Sequence, residues 1–211
     1  MSAPAEAPRP RRDIASDRIA SDRIAGVSVI TGTPHRDRRG SLTEVHRDDW
    51  ESAPRPVQWD RVESRPGVLR GVHVHRARWD FFVTIDGRAT IGLTDVRHHS
   101  PTFGLPMLIE CPDGVSTSVA VPPGVAHGIY AHQRLLYLYG LSVHYDGSDE
   151  DLGCRHDDPD LGLDWPSPAP TLAGRDLELP DFAVLVEQYN AARDAADGEG
   201  READDEDGAG H

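Results

Sequence analysis

Three histidines and one aspartate stand at spacings that can bring their side chains to one place. His73 and His75 lie two residues apart in GVLRGVHVHRARWDFFVTIDGRATIGLTDVR, Gly67 to Arg97. Asp80 follows after four residues and Gly87 after six more. His127 comes just after a turn in PPGVAHG, Pro122 to Gly128. Residues two apart on a strand point to the same face, so His73 and His75 are predicted to look into one cavity. Three imidazoles and a carboxylate suit Fe, Mn, Ni or Zn. All 22 basic residues are arginine, so no lysine amine can take part.

The elements that must position these groups read as short strands. GVSVITG, GSLTEVHR, VLRGVHVH, DFFVTIDG, RATIGLTDV, MLIECPDG, STSVAVPPG and RLLYLYGLSVHY are each bounded by Gly, Pro or Asp. Asp86–Gly87 and Asp113–Gly114 read as hairpin turns between such runs. The HxH, carboxylate, glycine order, followed by P-x-G and a histidine, is the spacing of a cupin. The predicted fold is therefore all-β, a cupin-type jelly-roll barrel with a site in its mouth. A short C-terminal helix is predicted over Pro180 to Ala195, with Phe182, Val184, Leu185, Tyr189 and Ala192 as its apolar stripe.

A chain of 211 residues accommodates one such domain, predicted over 26–192. Residues 1–25, Pro- and Arg-rich with a duplicated IASDR pentad, read as a flexible arm. Residues 193–211 carry eight acids and two arginines and read as a disordered acidic tail. The net charge of −14 argues against broad nucleic-acid binding, which needs a basic face. No apolar run approaches 18 residues and no signal-peptide core is present, which points away from a membrane and toward the cytoplasm. Cys111 and Cys154 form no CxxC pair, so neither a disulfide framework nor a thiolate metal site is expected.

An ordered series of motifs adds a second layer. It runs through RRGSLTEV (Arg38–Val45), PVQWDRVESRPGVLRGVH (Pro56–His73), GLTDVRHHSPTFG (Gly92–Gly104) and VPPGVAHG (Val121–Gly128). It continues through LYGLSVHY (Leu138–Tyr145), DDPDLGLDWP (Asp157–Pro166) and LAGRD (Leu172–Asp176). By these motifs the chain resembles the dTDP-4-dehydrorhamnose 3,5-epimerase family, as a divergent member. The resemblance implies a cofactor-free isomerase that inverts C3, C5 or both of a dTDP-4-keto-6-deoxyhexose through an enolate, and a homodimer. It makes His73 the base, Asp176 the carboxylate that orients it, and Tyr139 the acid. It places Arg70, Arg39, Glu44, Gln58, His127 and Tyr145 against the nucleotide-sugar substrate, Arg70 at the diphosphate.

Two positions depart from the family. Counting back from Gly87, Asp80 stands where the family carries a lysine near the sugar ketone, and His75 stands where it usually has glutamine. Both changes lead toward the metal-cupin pattern. The alternative to the epimerase is thus a metal-dependent enzyme that holds a divalent transition metal through His73, His75, Asp80 and His127. A third possibility is an inactive sugar-nucleotide binder. In a metal-free epimerase Asp80 is an anion that opposes the developing enolate, with no lysine elsewhere to take over the family's cation, and Asp80→Lys is expected to leave activity equal or higher.

Overall fold

The computed structural model describes residues 24–47, 54–146 and 152–191. The acidic tail and all but the last two residues of the predicted arm lie outside them. Twelve strands form in chain order: β1 (Ser28–Thr31), β2 (His35–Asp37), β3 (Gly40–Leu42), β4 (Gln58–Ser64), β5 (Leu69–Val74) and β6 (Asp80–Asp86). There follow β7 (Ala89–Asp95), β8 (Pro106–Cys111), β9 (Thr117–Val121), β10 (Val125–Ala131), β11 (Leu135–Leu141) and β12 (Leu152–Gly153). Short 3₁₀ turns cover Pro159–Leu161 and Gly174–Glu178, and a helix, α1, covers residues 182–191. Among the described residues no helix is long and apolar enough to cross a membrane.

Two five-stranded antiparallel sheets face each other, in the orders β1-β9-β6-β11-β4 and β12-β5-β10-β7-β8, with β2-β3 as a separate hairpin. This is the jelly-roll arrangement expected from the strand spacing. Two details differ from that expectation. Asp86–Gly87 joins β6 in one sheet to β7 in the other, and Asp113–Gly114 likewise joins β8 to β9, so both are crossovers between sheets rather than hairpins. A DG pair encodes a tight turn, but not which sheet the next strand joins. Two strands also carry no strong strand signal. β4, QWDRVES, is mostly polar, and β10, VAHGIYA, contains His and Gly.

The inward faces meet in a core that includes Phe82, Val119, Val121 and Tyr137 from the first sheet and Ile91, Leu93, Val125 and Ile129 from the second. Ile24 is buried in this core, and Ala25 donates its N–H to Thr102 and accepts from Arg97. The packed domain therefore already includes the last two residues of the predicted arm.

Every residue of β7 and β10 is buried, because the outer face of their sheet is covered too. Leu161, Trp165 and the α1 residues Phe182, Leu185 and Tyr189 form that cover. Val184 is exposed, so the inward stripe of α1 runs among the described residues through Phe182, Leu185, Val186 and Tyr189, while Ala192 and the predicted helix end at Ala195 lie outside them. Trp165 lies on the cross-strand partners Gly92 and Gly128; a Cβ at Gly92 would collide with its ring and one at Gly128 would crowd it. The covering segment also pairs along β5: Leu69 N–H donates to Thr171 O at 3.0 Å, and Cys154 N–H donates to Val72 O at 3.1 Å. Cys111 and Cys154 are free, buried thiols, each pushed up to about 12 by burial.

Candidate active site

A cavity of about 530 Å³ opens between the sheets. One wall is β5 and β10, the other β6 and β11, and residues 171–176 close one side. His73 and His127 are cross-strand partners on β5 and β10, and a register shift follows immediately along β10. Gly71 permits that irregularity: its φ is +128°, and a Cβ there would sit 2.7 Å from Gly128 Cα and His127 O. His73 and His75 both line the cavity, as their period-two spacing predicts.

His73 Nε2 lies 2.9 Å from Asp176 Oδ1. The carboxylate accepts, so Nε2 carries the proton and Nδ1 keeps its lone pair in the neutral ring. Asp176 sits on the Gly174–Glu178 turn, which the pairing of Thr171 with β5 delivers beside His73. Burial pushes Asp176 upward, but the His73 bond, the Arg175 charge and the Gly71 N–H outweigh it and hold the carboxyl below its usual value.

A second, deeper cluster centres on Asp80, which is 1% exposed. Arg78 Nε donates to Asp80 Oδ1 at 2.9 Å, and Tyr139 OH donates to Oδ2 at 2.8 Å. The Nε2 atoms of His75 and His127 each lie 3.0 Å from the same Oδ2. Arg78 Nη2 is 2.7 Å from His75 Nε2 and 3.3 Å from Tyr139 OH. A single His75 nitrogen serves either the carboxylate or the guanidinium, not both at once. His127 Nδ1 is 3.0 Å from Val125 O, so both of its ring nitrogens face oxygen acceptors.

These contacts set the electrostatics. Burial raises Asp80, but the bonds from His127 and His75 more than reverse this, and the carboxyl stays far below its ordinary range. Burial lowers His75, against the pull of Asp80 and with the help of the His127 and Arg78 charges. Burial and then the Asp80 charge drive the Tyr139 phenol far above its usual value.

Arg78 is the site residue that the sequence spacing missed. The missing lysine does not leave the site without a cation: an arginine two positions before Asp80 bonds its carboxylate. The available signal was RARWD itself, a cation at i−2 in the turn that leads into β6. Contacts from Trp79 N–H to Ser142 Oγ (2.9 Å) and from Ser142 N–H to Trp79 O (3.1 Å) pin that turn to the end of β11.

The other expected residues divide. Arg70, His127, Tyr139 and Tyr145 line the cavity. Gln58 lies beside it, accepting from Tyr145 N–H at 3.0 Å and donating to Asp60. Arg39 and Glu44 are not brought to the cavity of their own chain: Arg39 is 81% exposed at the β2–β3 turn and paired with Asp37, and Glu44 pairs with Arg47. The proposed metal donors also divide. The ligand atoms of His75, Asp80 and His127 lie within 4.8 Å of one another, but His73 is outside that group and bound to Asp176. A cation placed among the three would meet the Arg78 guanidinium already bonded to Asp80, so this donor set does not fit a metal with Arg78 in place.

Comparison with known proteins agrees with this architecture. The family model described as dTDP-4-dehydrorhamnose 3,5-epimerase matches residues 21–184. The dTDP-4-dehydrorhamnose 3,5-epimerase of Mycobacterium tuberculosis is 31% identical over 171 residues, 75% of this chain and 84% of that one. Among solved structures, a 4-keto-6-deoxy sugar epimerase from the novobiocin gene cluster of Streptomyces spheroides superposes with a TM-score of 0.70 at 27% identity, covering 82% of this chain and 87% of that one. A 3'-monoepimerase from Streptomyces bikiniensis, in complex with dTDP-quinovose, superposes with a TM-score of 0.69 at 26% identity, covering 76% and 85%. The match spans both sheets and the covering segment that carries Asp176 to His73, and on that extent the chain belongs to the dTDP-4-dehydrorhamnose 3,5-epimerase family.

Proposed function

We propose that this protein is a nucleotide-sugar epimerase of deoxysugar biosynthesis, acting on a dTDP-4-keto-6-deoxyhexose and inverting C3, C5 or both through an enolate. The observation that carries this reading is the His73–Asp176 pair, 2.9 Å apart, in one cavity with Tyr139. His73 comes from one sheet and Tyr139 from the other, so they reach the cavity from opposite walls. Inversion needs this arrangement: a base takes the proton from one face of a carbon and an acid returns one to the other.

The ketone at C4 acidifies the C–H bonds at C3 and C5. His73 Nδ1 accepts the proton and the ring becomes an imidazolium, which Asp176 stabilises through Nε2–H. The Tyr139 hydroxyl then delivers a proton to the opposite face. Arg70, exposed at the rim, suits the diphosphate by charge and by its planar donor fork. Gln58 and Tyr145 form the adjacent side of the cleft. The names of the relatives support this substrate class: the Streptomyces bikiniensis protein was solved with dTDP-quinovose, and the Streptomyces spheroides protein is described as a 4-keto-6-deoxy sugar epimerase. A homodimer in the cytoplasm completes the proposal. Val57 and Trp59, exposed at the β4 edge of the first sheet, are suited to face a second copy.

The test is incubation with a dTDP-4-keto-6-deoxyhexose in deuterium oxide, read by NMR. Deuterium entering C3 or C5 is the expected result. Binding of the nucleotide sugar with no deuterium at either carbon would identify an inactive binder instead.

A further inference from the structure

We propose that Arg78 is a catalytic residue of this site: its guanidinium holds the sugar oxygen that becomes the enolate, and Asp80 is the positioning residue that aims it. The inference rests on the epimerase reading and deepens it. Removing a proton beside a ketone puts negative charge on the ketone oxygen, and the rate depends on a donor already oriented toward that charge. Among the described residues three arginines line the cavity. Arg70 is exposed and directed to Ser64 Oγ and Glu63 O, and the Arg175 side chain is 61% exposed beside Asp176. Arg78 alone is buried, its side chain 5% exposed.

Its position suits the task. Arg78 Nη2 stands 3.3 Å from the hydroxyl of Tyr139, the proposed acid. The ketone oxygen is two bonds from the carbon that Tyr139 must protonate, so a donor beside that hydroxyl is within reach of the oxygen. The same guanidinium faces the phenolate that Tyr139 becomes when it gives up its proton. Asp80 by itself opposes both charges, since it holds the Tyr139 proton in place. A buried carboxylate bonded to Nε of a buried arginine makes structural sense as its anchor, and Nη2, lying against His75 and Tyr139 in the cavity lining, is the donor end. A guanidinium offers only donors and no acceptor, so Arg78 takes no part as a proton carrier. The proton balance is unchanged: the C–H proton passes to His73, the carbon receives one from Tyr139, and Arg78 only hydrogen-bonds.

The experiment compares wild type, Arg78→Lys, Arg78→Gln and the double variant Arg78→Gln/Asp80→Asn, which removes both buried charges together and guards against misfolding of the single one. Deuterium exchange at C3 and C5, KM, and binding of dTDP alone are measured, with circular dichroism as the folding control. The expected outcome is a fall in exchange kcat of roughly 10²–10³-fold in the double variant, with dTDP affinity within a few-fold of wild type. Arg78→Lys should recover part of the rate and acquire an alkaline limb in its pH profile, since an amine titrates where a guanidinium does not. A folded double variant that exchanges at the wild-type rate overturns the role of Arg78 and leaves the epimerase reading standing. Absence of exchange in the wild type overturns both. Stoichiometric transition metal in the purified wild type, lost on Asp80→Asn, also overturns it, because His75, Asp80 and His127 would then hold a metal rather than Arg78.

Discussion

Asp176 Oδ1 meets His73 Nε2 at 2.9 Å across 103 residues of chain, and this N–H···O bond selects which imidazole nitrogen keeps its lone pair. That one contact couples the fold to the chemistry. The covering segment must pack on the outer face of its sheet before the base has a defined tautomer.

His73→Asn is therefore expected to abolish deuterium exchange, and Asp176→Asn to slow it by roughly 10²–10⁴-fold, the scale of general-base groups. Single-turnover exchange followed by NMR checks both. An Asp176→Asn variant with unaltered exchange would remove Asp176 from the mechanism.

The same pair shapes acid stability. Asp176 is held below its usual value against the opposing effect of burial. A carboxyl depressed in the folded state adds stability above its unfolded value of about 3.9, and that stability is lost as pH falls through the lower native value. Urea midpoints measured from pH 6 downward should fall more steeply below about pH 4 in the wild type than in Asp176→Asn. Parallel curves would contradict the assignment.

Asp80→Lys is expected to do harm, contrary to the sequence-based expectation. It replaces the buried partner of Arg78 with a second cation and removes the acceptor for Tyr139, His75 and His127. Breaking a buried pair typically costs about 3–5 kcal/mol. Thermal and urea unfolding should show a loss of at least that order, with activity lost as well. Wild-type stability in Asp80→Lys would mean that Arg78 leaves the site easily.

Arg70→Ala should raise KM with little change in kcat, because a phosphate contact exists in the ground and transition states alike. Steady-state kinetics with the nucleotide sugar decide it. A fall in kcat at constant KM would put Arg70 at the sugar ring.

Gly71→Ala should destabilise the protein by about 1–3 kcal/mol or more, since φ is +128° and the added Cβ meets β10 backbone at 2.7 Å. Exchange activity should fall with it, because His73 is two residues on. Urea unfolding alongside the exchange assay measures both effects.

Local pattern alone made much of this protein legible. Period-two spacing predicted that His73 and His75 share a cavity, and runs bounded by Gly, Pro and Asp marked most of the strands. The ordered motifs from Arg38 to Asp176 identified the family. These features are local because side-chain alternation and turn chemistry depend only on near neighbours in the chain. The tertiary structure decided the rest. β4 and β10 are strands because partners on one side and on both sides, respectively, complete their hydrogen bonds, not because QWDRVES or VAHGIYA favours extension. Asp86–Gly87 and Asp113–Gly114 pass between sheets because burial of two apolar faces, not the turn, dictates where each next strand goes. The character of Asp80 changed most. In the sequence it is an anion opposed to the enolate or a metal ligand; in the fold it accepts from Arg78 and Tyr139 and lies against His75 and His127, gathered from β6, β10, β11 and the turn after β5. The charge balance of a buried group depends on everything packed around it, and two of these four neighbours, His127 and Tyr139, are distant in the chain.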